Sequence, residues 1–357
     1  MISLFEHYPA LADALPHLSL ANLPTPIEDA GAIGRTRLLV KRDDLTGVLY
    51  GGNKVRKLEF LLGDAVRRNC RRVFTFGVAG SNHALATSVY ATALGLQSVP
   101  LLTHQVNAAY TRRNLLYQHH AGARLRHFAS ESAAERAGTL LERVARVGAM
   151  RVKGGGSSPL GTVGYVNAGL ELADQIRGGA APRPDVIYVA LGTMGTAAGL
   201  TLGLRAAGLD IPITMIRVVR DSIANRSTFH RLFAATASLL RSADPRFPRV
   251  HLGATEPDIR HDHIGPGYAR FTPEGMDAVA WAAGEKHIKL EGTYTGKAMA
   301  ALRADAPALR GKTALFWNTY NSRPLPRAAL EADWRGLPGD FHSYFTRPLQ
   351  PLDPEAG

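Results

Sequence analysis

Two lysines near the start of the chain have the type and spacing of a reactive amine site. Lysine is scarce, because only eight of the 42 basic residues are lysines. Lys54 follows Gly51, Gly52 and Asn53 and opens a segment with apolar residues at helical spacing, which predicts the first turn of a helix. Lys57 lies on the same face, and a second ammonium lowers the pKa of the more buried amine. Such an amine can form a Schiff base; a solvated basic helix start is the alternative.

A loop rich in glycine and threonine could bind an anion. It lies between a predicted strand that ends at Leu191 and a predicted helix that runs to about Ala207. Backbone N–H groups and threonine hydroxyls at a helix N-terminus suit a phosphate. The loop lacks the spacing of a Walker loop or a dinucleotide fingerprint, which disfavours a nucleotide. A glycine-rich turn without a ligand is the alternative for these residues, which are Gly192, Thr193, Met194, Gly195 and Thr196.

A polar turn, Gly80–Ser81–Asn82–His83, follows a predicted strand. Open parallel sheets bind their ligands at this end of a strand, so the hydroxyl, amide and ring could face a carboxylate or a cofactor oxygen. Alternatively, Ser81 only caps a helix. A reactive lysine, a phosphate cradle and a polar turn together indicate a phosphorylated aldehyde held as an imine, which is pyridoxal phosphate.

Alternating helical and β-branched segments from about residue 55 onward are expected to position these groups. This alternation is typical of strands joined by crossover helices into parallel sheets. Ser81 is predicted to cap a helix from Asn82 to Leu94, and Ser130 a helix that runs to about Val147. Strands are predicted at Val73–Val78, Ser98–Thr103, Arg124–Phe128, Val186–Leu191, Ile213–Val219 and Thr313–Thr319.

The length of 357 residues allows two domains. Composition breaks at residues 51–52 and 154–159 indicate where the chain crosses between them. We expect a large domain of residues 1–56 and 160–350 and a small domain of residues 57–159. Residues 351–357 have nothing to bury and are expected to fray.

The composition, with 45% hydrophobic and 20% charged residues, is that of a globular protein and excludes disordered and disulfide-scaffold classes. The net charge of +12 favours anionic ligands, but the arginine cluster at 67–72 is typical of a solvated turn, so no nucleic acid is expected. His261 and His263 lack further ligands at recognisable spacing, so no metal is predicted. A single cysteine, no export signal and no apolar run of about 18 residues predict a cytoplasmic protein without a membrane partner.

Several motifs together resemble one enzyme family. The chain is similar to the 1-aminocyclopropane-1-carboxylate deaminase and D-cysteine desulfhydrase family of fold-type II pyridoxal-phosphate enzymes. The similarity extends from about residue 20 to about residue 325, and the segment from Gly51 to Phe60 is its most specific part. The other motifs are 41–45, 81–83, 192–199, 266–268 and 294–297. The resemblance implies two open twisted parallel-sheet domains with the cofactor in the cleft between them, and a homodimer.

The resemblance also implies roles for individual residues. Lys54 would form the Schiff base with pyridoxal phosphate, and Asn82 would bond its ring hydroxyl. Lys57 and the loop 192–196 would hold the phosphate. Ser81 would contact the substrate carboxylate or relay a proton. Other cofactor contacts are implied for Asn53, Thr295 and Thr319, and the substrate is expected to meet Ser81, Asn82, His83, Tyr268, Tyr294 and Tyr320.

Tyr268 and Tyr294 would flank the reacting carbons, where a hydroxyl can donate or accept a proton. In the family's pattern, deaminases carry Glu and Leu at the positions of Thr295 and Thr319, whereas desulfhydrases carry Thr at both. A neutral hydroxyl near the pyridine nitrogen makes the ring a weaker electron sink, which suits elimination of a good leaving group. The pair therefore favours a thiol lyase.

The chain departs from the family at several positions near the site. Gly80 stands in place of Gln and Leu85 in place of Arg, which alters the expected carboxylate binding. Tyr320 and Asn321 stand where the family has glycines. The resulting expectation is a lyase that converts D-cysteine to pyruvate, sulfide and ammonia, with Lys54 or Ser81 as the base. The alternatives are cysteate, a diamino acid or aminocyclopropanecarboxylate as substrate, or a homologue that binds a ligand or nucleic acid without catalysis.

Overall fold

The computed structural model describes residues 1–144, 148–252 and 257–356. The strands in these ranges are β1 (Ile27–Ile33), β2 (Thr36–Lys41), β3 (Arg72–Val78), β4 (Gln97–Thr103), β5 (Arg126–Phe128), β6 (Ala149–Val152), β7 (Val186–Leu191), β8 (Ile213–Arg217), β9 (Asp258–Arg260) and β10 (Thr313–Trp317). The helices are α1 (Ser3–His7), α2 (Ala10–Ala14), α3 (Lys54–Arg67), α4 (Asn82–Ala93), α5 (Ala109–His120), α6 (Glu131–Val144), α7 (Pro159–Arg177), α8 (Gly195–Ala206), α9 (Arg226–Ala243), α10 (Pro273–Lys286), α11 (Thr295–Asp305), α12 (Arg327–Leu330) and α13 (Ser343–Thr346). None of the helices in these ranges is long and apolar enough to cross a membrane.

The strands form two mainly parallel sheets. The six-stranded sheet has the order β1-β2-β10-β7-β8-β9, and its edge strand β1 pairs antiparallel with β2. The other pairs in this sheet are parallel. The four-stranded sheet has the order β5-β4-β3-β6 with parallel pairing throughout. The expected α/β class with two parallel sheets is confirmed.

Helices cover the faces of both sheets, as parallel sheets require. In the larger sheet, Ile187 and Val189 of β7 pack with residues of α7, α8 and α9, while Tyr188 and Ala190 pack with residues of α10 and α11. In the smaller sheet, Val73 packs with α3 and α4, and the next residue along β3 packs with α6 on the other face. This alternation follows from the two-residue period of a strand.

The predicted helix starts and most predicted strands are confirmed. Ser81 Oγ accepts a hydrogen bond from Ala84 N, and Ser130 Oγ accepts one from Ala133 N, so both serines cap their helices. The predicted end of the second helix, near Val147, lies outside the described residues. Three predicted strands were too long, because β5 begins at residue 126, β8 ends at residue 217 and β10 ends at residue 317. At the carboxyl ends of β8 and β10 the chain turns away into loops of the site.

Strands β1, β2, β6 and β9 were not predicted. β6 and β9 are short, with four and three residues. β1 is largely exposed at the sheet edge and carries the sequence Ile-Glu-Asp-Ala-Gly-Ala-Ile, which has no strand periodicity. β2, β6 and β9 pair with strands more than forty residues away, which a local pattern does not reveal, whereas β1 pairs only with the neighbouring β2.

The predicted domain boundaries stay a prediction, but the end of the chain differs from the expectation. Leu337, Phe341 and Tyr344 pack with residues of α4 and α5, on the side of the smaller sheet. Residues 351–356, which are expected to fray, are exposed apart from Asp353. Asp353 is only 7% exposed and accepts a hydrogen bond from Ala109 N at the start of α5. The carboxylate thus satisfies an unpaired helical N–H, a tertiary contact that tail composition does not reveal.

A buried network of charges anchors the start of α3 on the larger sheet. Arg56 Nη2 lies 2.7 Å from Asp43 Oδ1 and 2.9 Å from Glu171 Oε1. Lys41 Nζ lies 2.6 Å from Glu171 Oε1, and Trp317 Nε1 donates to Asp43 Oδ2 at 2.8 Å. Each buried charge has an opposite partner, as burial in a low dielectric requires. The network fixes α3 two residues after Lys54.

Candidate active site

The carboxyl ends of strands from both sheets face one cavity of about 660 Å³. Ligands of open parallel sheets bind at such ends. The loops after β3, β7 and β10 meet there with the first turn of α3. Among the described residues, the cavity wall includes every predicted site residue except Thr295, namely Asn53, Lys54, Lys57, Ser81, Asn82, His83, Gly192, Thr193, Met194, Gly195, Thr196, Tyr268, Tyr294, Thr319 and Tyr320.

Lys54 is the first residue of α3, as the periodicity predicts. Its Nζ donates to Asn53 Oδ1 at 2.7 Å and lies 6.0 Å from the centre of the Tyr294 ring. Burial lowers the pKa of this amine to about 8, and the Glu291 carboxylate opposes the shift. The amine therefore carries a larger neutral fraction near neutral pH than an ordinary lysine, which makes it the better nucleophile.

Lys57 and the loop after β7 form an anion cradle. Lys57 is only 2% exposed, and its Nζ lies 3.0 Å from Gly155 O and 3.2 Å from Ser157 Oγ. Ser157 Oγ also contacts Thr193 Oγ1 at 2.7 Å and accepts from Gly195 N at 3.1 Å. A Cβ at residue 195 would lie 2.6 Å from Ser157 Oγ and 2.8 Å from Lys57 Nζ, so only glycine permits this approach. Burial, followed by the Lys54 charge, lowers the pKa of Lys57 well below its ordinary value.

The turn after β3 presents two polar side chains of different character. Asn82 Oδ1 accepts from Asn114 Nδ2 at 3.0 Å, which orients the amide toward the cavity wall. His83 is buried, and among the described residues neither of its ring nitrogens has a partner with hydrogen-bond geometry. Burial and then the charges of Lys54 and Lys57 lower the pKa of His83 well below its ordinary value, so the ring is neutral. A neutral imidazole can donate to a bound molecule with one nitrogen and accept with the other.

The structure explains the departures at residues 80 and 85. A Cβ at residue 80 would lie 2.7 Å from both Gln105 Nε2 and Thr111 Oγ1. Gln105 Oε1 accepts from Gly80 N at 3.0 Å, so a glutamine amide does lie beside this turn, but it comes from the β4–α5 connection. Leu85 is fully buried in the core between α3, α4 and the smaller sheet.

Two tyrosines close the opposite wall. The hydroxyls of Tyr268 and Tyr294 lie 2.6 Å apart, and their rings meet edge to face. Burial raises the pKa of Tyr268 well above its ordinary value, with the neighbouring Tyr294 adding to the shift. Burial likewise raises the pKa of Tyr294. Both hydroxyls therefore stay protonated and can donate a hydrogen bond.

Glu291, which the sequence analysis does not select as a site residue, lines the cavity and organises the start of α11. Its Oε1 accepts from the backbone N–H groups of Tyr294 and Thr295 at 2.7 and 2.9 Å, and its Oε2 accepts from Thr293 N at 2.8 Å. Thr295 is fully buried and donates its hydroxyl to Glu291. Of the two threonines expected beside the cofactor ring, Thr319 lines the cavity, whereas Thr295 is not among the lining residues.

The residues that replace glycines after β10 line and brace the site. Tyr320 is on the cavity wall, with Lys289 Nζ 5.6 Å from the centre of its ring. Asn321 Oδ1 accepts from Gly51 N at 2.6 Å and from Arg323 N at 3.1 Å. The Asn321 amide thus fixes the glycine turn that precedes Lys54.

Ser157 is a further contact of the cradle that sequence reasoning did not select. The composition break at residues 154–159 marks this segment in the sequence, where it predicts a domain boundary. Only the fold brings this segment beside Lys57, which is 100 residues away along the chain. A glycine and serine run between strand and helix is therefore a candidate anion contact as well as a boundary.

Comparisons with known proteins agree with this chemistry. A family model described as pyridoxal-phosphate dependent enzyme matches residues 18–319. A D-cysteine desulfhydrase of Salmonella schwarzengrund (strain CVM19633) is 33% identical over 306 residues, which cover 80% of this chain and 87% of that protein. The chain belongs to the 1-aminocyclopropane-1-carboxylate deaminase and D-cysteine desulfhydrase family of pyridoxal-phosphate-dependent enzymes.

Solved structures support the same assignment. A crystal structure of an ACC deaminase homologue matches with a TM-score of 0.75 and 32% identity, covering 88% of this chain and 94% of the other. A threonine deaminase of T.th. (TM-score 0.59, 16% identity, 91% of this chain and 98% of the other) shares the fold. So does an L-serine ammonia-lyase of Rhizomucor miehei (TM-score 0.56, 20% identity, 86% of this chain and 95% of the other).

The donor set of the site fits pyridoxal phosphate. The Lys57 ammonium is buried, and within the described ranges its hydrogen-bond partners are neutral oxygens, so an anion would supply the missing charge. His83, whose nitrogens bond no group in the described part of the chain, lies on the same cavity wall, as does Lys54, whose amine can condense with an aldehyde. These groups match the phosphate, polar substituents and aldehyde of this cofactor.

Proposed function

We propose that this enzyme is a lyase acting on a small amino acid with a leaving group on its β-carbon, and that D-cysteine is its substrate. D-cysteine and water would give pyruvate, hydrogen sulfide and ammonia. The similarity to a D-cysteine desulfhydrase over most of the chain supports this choice. The hydroxyl of Thr319 on the cavity wall also agrees with the desulfhydrase pattern.

One observation carries the proposal: the Lys54 amine and the cradle around Lys57 open onto the same cavity. The two lysines lie one helical turn apart, so one can hold an anion while the other faces the reacting end of the same molecule. The cofactor, when bound, supplies the aldehyde and an electron sink for the charge left on the α-carbon. We assign every other function in the site to side-chain and backbone groups of this chain.

We assign those functions as follows. Lys57 Nζ, Gly195 N and the Thr193 hydroxyl bind the phosphate, and Asn82 bonds the ring hydroxyl. Asn53 is held by Thr196, since its Nδ2 donates to Thr196 Oγ1 at 3.0 Å, and in turn it orients the Lys54 amine. These contacts set the position of the cofactor's aldehyde relative to the Lys54 amine.

Proton transfers are assigned to two groups on opposite sides of the cavity. Lys54 Nζ, with its lowered pKa, or Ser81 Oγ removes the proton from the substrate's α-carbon. The paired hydroxyls of Tyr268 and Tyr294 stay protonated and donate to the leaving sulfur or to the substrate carboxylate. His83, Ser81 and Asn82 bind the substrate, and Tyr320 limits its size.

The test is a coupled assay of pyruvate and sulfide on purified enzyme loaded with pyridoxal phosphate. We expect release of both products from D-cysteine and loss of both in Lys54→Ala. Lys312→Ala, which removes an exposed lysine away from the cavity, is the matched control and is expected to keep full activity. A panel of L-cysteine, cysteate, a diamino acid and aminocyclopropanecarboxylate accompanies it. Turnover of a panel compound without turnover of D-cysteine would overturn the substrate assignment.

We also propose the homodimer and the cytoplasmic location that the resemblance and the sequence predict. The dimer is an expectation from the family, and the location is an expectation from the single cysteine, which is typical of a reducing compartment. Sedimentation of the purified enzyme at low micromolar concentration tests the dimer, and a monomer there would contradict it.

A further inference from the structure

The C-terminal segment lies across the cleft between the two sheets. Its backbone is bonded to the loop before α5, because Gln350 N donates to Asn107 O at 2.9 Å. Asp353 Oδ2 accepts from Ala109 N at 2.8 Å, and Glu355 pairs with Arg113. The segment is therefore fixed to the side of the smaller sheet.

The Gln350 side chain points the other way, to the loop that carries Tyr268. Its Oε1 accepts from Phe271 N at 2.9 Å, and its Nε2 donates to Ala269 O at 3.1 Å. Gln350 is only 6% exposed, so water does not compete freely for these bonds. One amide thus bonds the backbone on both sides of Arg270.

The backbone conformation of the loop that carries Tyr268 depends on contacts from other segments of the chain. Ala269 has a φ of +60°, a left-handed conformation that costs free energy for a residue with a Cβ and persists only where its surroundings fix it. Ala269 is 1% exposed, and its carbonyl is the group that Gln350 bonds. Two residues further along the loop, Phe271 stacks on Tyr110 of α5 with ring centres 6.3 Å apart. Gln350 and Tyr110 therefore hold the loop from the opposite sheet.

We propose that Gln350 is a positioning residue for Tyr268. It fixes the loop 268–271 so that the Tyr268 hydroxyl meets Tyr294 across the cavity wall at 2.6 Å. The inference rests on the proposed function in one respect, which is that Tyr268 serves the reaction. It assigns a role in the site to a residue that directly precedes the tail expected to fray.

The first test measures amide hydrogen exchange in the protein without substrate. Gln350→Met keeps the length of the side chain and removes both hydrogen bonds. We expect faster exchange in the peptide containing Phe271 by at least about tenfold, because its amide loses its acceptor. Glu355→Gln is the matched control within the same segment, since it breaks only the exposed pair with Arg113, and it should leave this peptide unchanged. Equal exchange in Gln350→Met and the unmodified enzyme would overturn the proposal.

The second test is a double-mutant cycle of Gln350→Met and Tyr268→Phe on kcat/KM. Gln350→Met alone should lower kcat/KM by about tenfold, and the effect should disappear when the Tyr268 hydroxyl is already absent. An equal effect in both backgrounds would show that Gln350 acts on general stability, which overturns the proposal. Gln350→Glu keeps the acceptor for Phe271 N and loses the donor to Ala269 O, so it is expected to lower kcat/KM by an intermediate factor. It replaces Gln350→Met in the cycle if that variant does not fold.

The cycle uses whichever amino acid of the panel is turned over. Absence of turnover with D-cysteine therefore counts against the proposed substrate alone. Additive effects in the cycle, or unchanged exchange at Phe271, count against the positioning role alone.

Discussion

Gly195→Ala tests the anion cradle with a single added carbon. The new Cβ would lie 2.8 Å from Lys57 Nζ and 2.6 Å from Ser157 Oγ, whereas ordinary contacts are at least 3.4 Å. Both atoms end flexible side chains, so they move and α8 keeps its place. The displaced Lys57 Nζ then no longer points at the proposed phosphate position. One hydrogen bond to a charged group contributes about 1.5–3 kcal/mol, which corresponds to a roughly 10- to 150-fold weaker affinity for pyridoxal phosphate.

The measurement is an absorbance titration of cofactor-free enzyme with pyridoxal phosphate. Gly284→Ala is the matched control, because a Cβ at that position in α10 meets nothing within 4 Å. We expect unchanged affinity in the control and unchanged thermal unfolding of the cofactor-free protein in Gly195→Ala. An affinity for pyridoxal phosphate equal to that of the unmodified enzyme in Gly195→Ala would refute the assignment of the phosphate site to this cradle.

Two further predictions concern the Lys54 amine and the buried charge network that includes Asp43. Since burial lowers the pKa of Lys54 to about 8, the rate of cofactor uptake should rise with pH through about 8, and a midpoint near the ordinary lysine value of about 10.4 would contradict this. Trp317→Phe removes the Nε1–H that Asp43 accepts and should lower the free energy of unfolding in urea by about 2 kcal/mol. Trp281→Phe, at a partly exposed ring that packs on Arg303, should change it by less than about 1 kcal/mol, and equal losses would contradict the role of the Asp43 bond.

Local patterns predicted the reactive parts of the site because those parts are contiguous in sequence. The glycine turn, Lys54 and the periodic segment after it lie in one stretch, and so do the loop after β7 and the polar turn after β3. Each pattern has a local cause, such as an N-cap or the need for glycine at a close approach. The alternation of strands and helices then placed all three at strand ends.

The parts of the site that the sequence does not predict depend on contacts between residues that are far apart in sequence. Ser157 reaches Lys57, Gln105 fills the space beside Gly80, and Gln350 holds the Tyr268 loop, each across more than twenty residues. No periodicity marks such a partner, since its neighbours in sequence serve other elements. The cofactor contact of Thr295 stays a prediction: Thr295 is not among the residues that line the cavity, and its hydroxyl donates to Glu291, which does line it.

The surroundings of Glu291 bear on the choice between ring opening and β-elimination. A carboxylate on the cavity wall could strengthen the electron sink by holding a pyridine nitrogen protonated. Glu291, however, already accepts three backbone N–H groups at the start of α11 and a hydroxyl from Thr295, so the helix N-terminus stabilises its charge. Breaking those bonds to recruit the carboxylate would cost several hydrogen bonds. Under the proposed assignment, Thr319 is the neutral group that would face the ring, and this predicts a substrate with a good leaving group on its β-carbon.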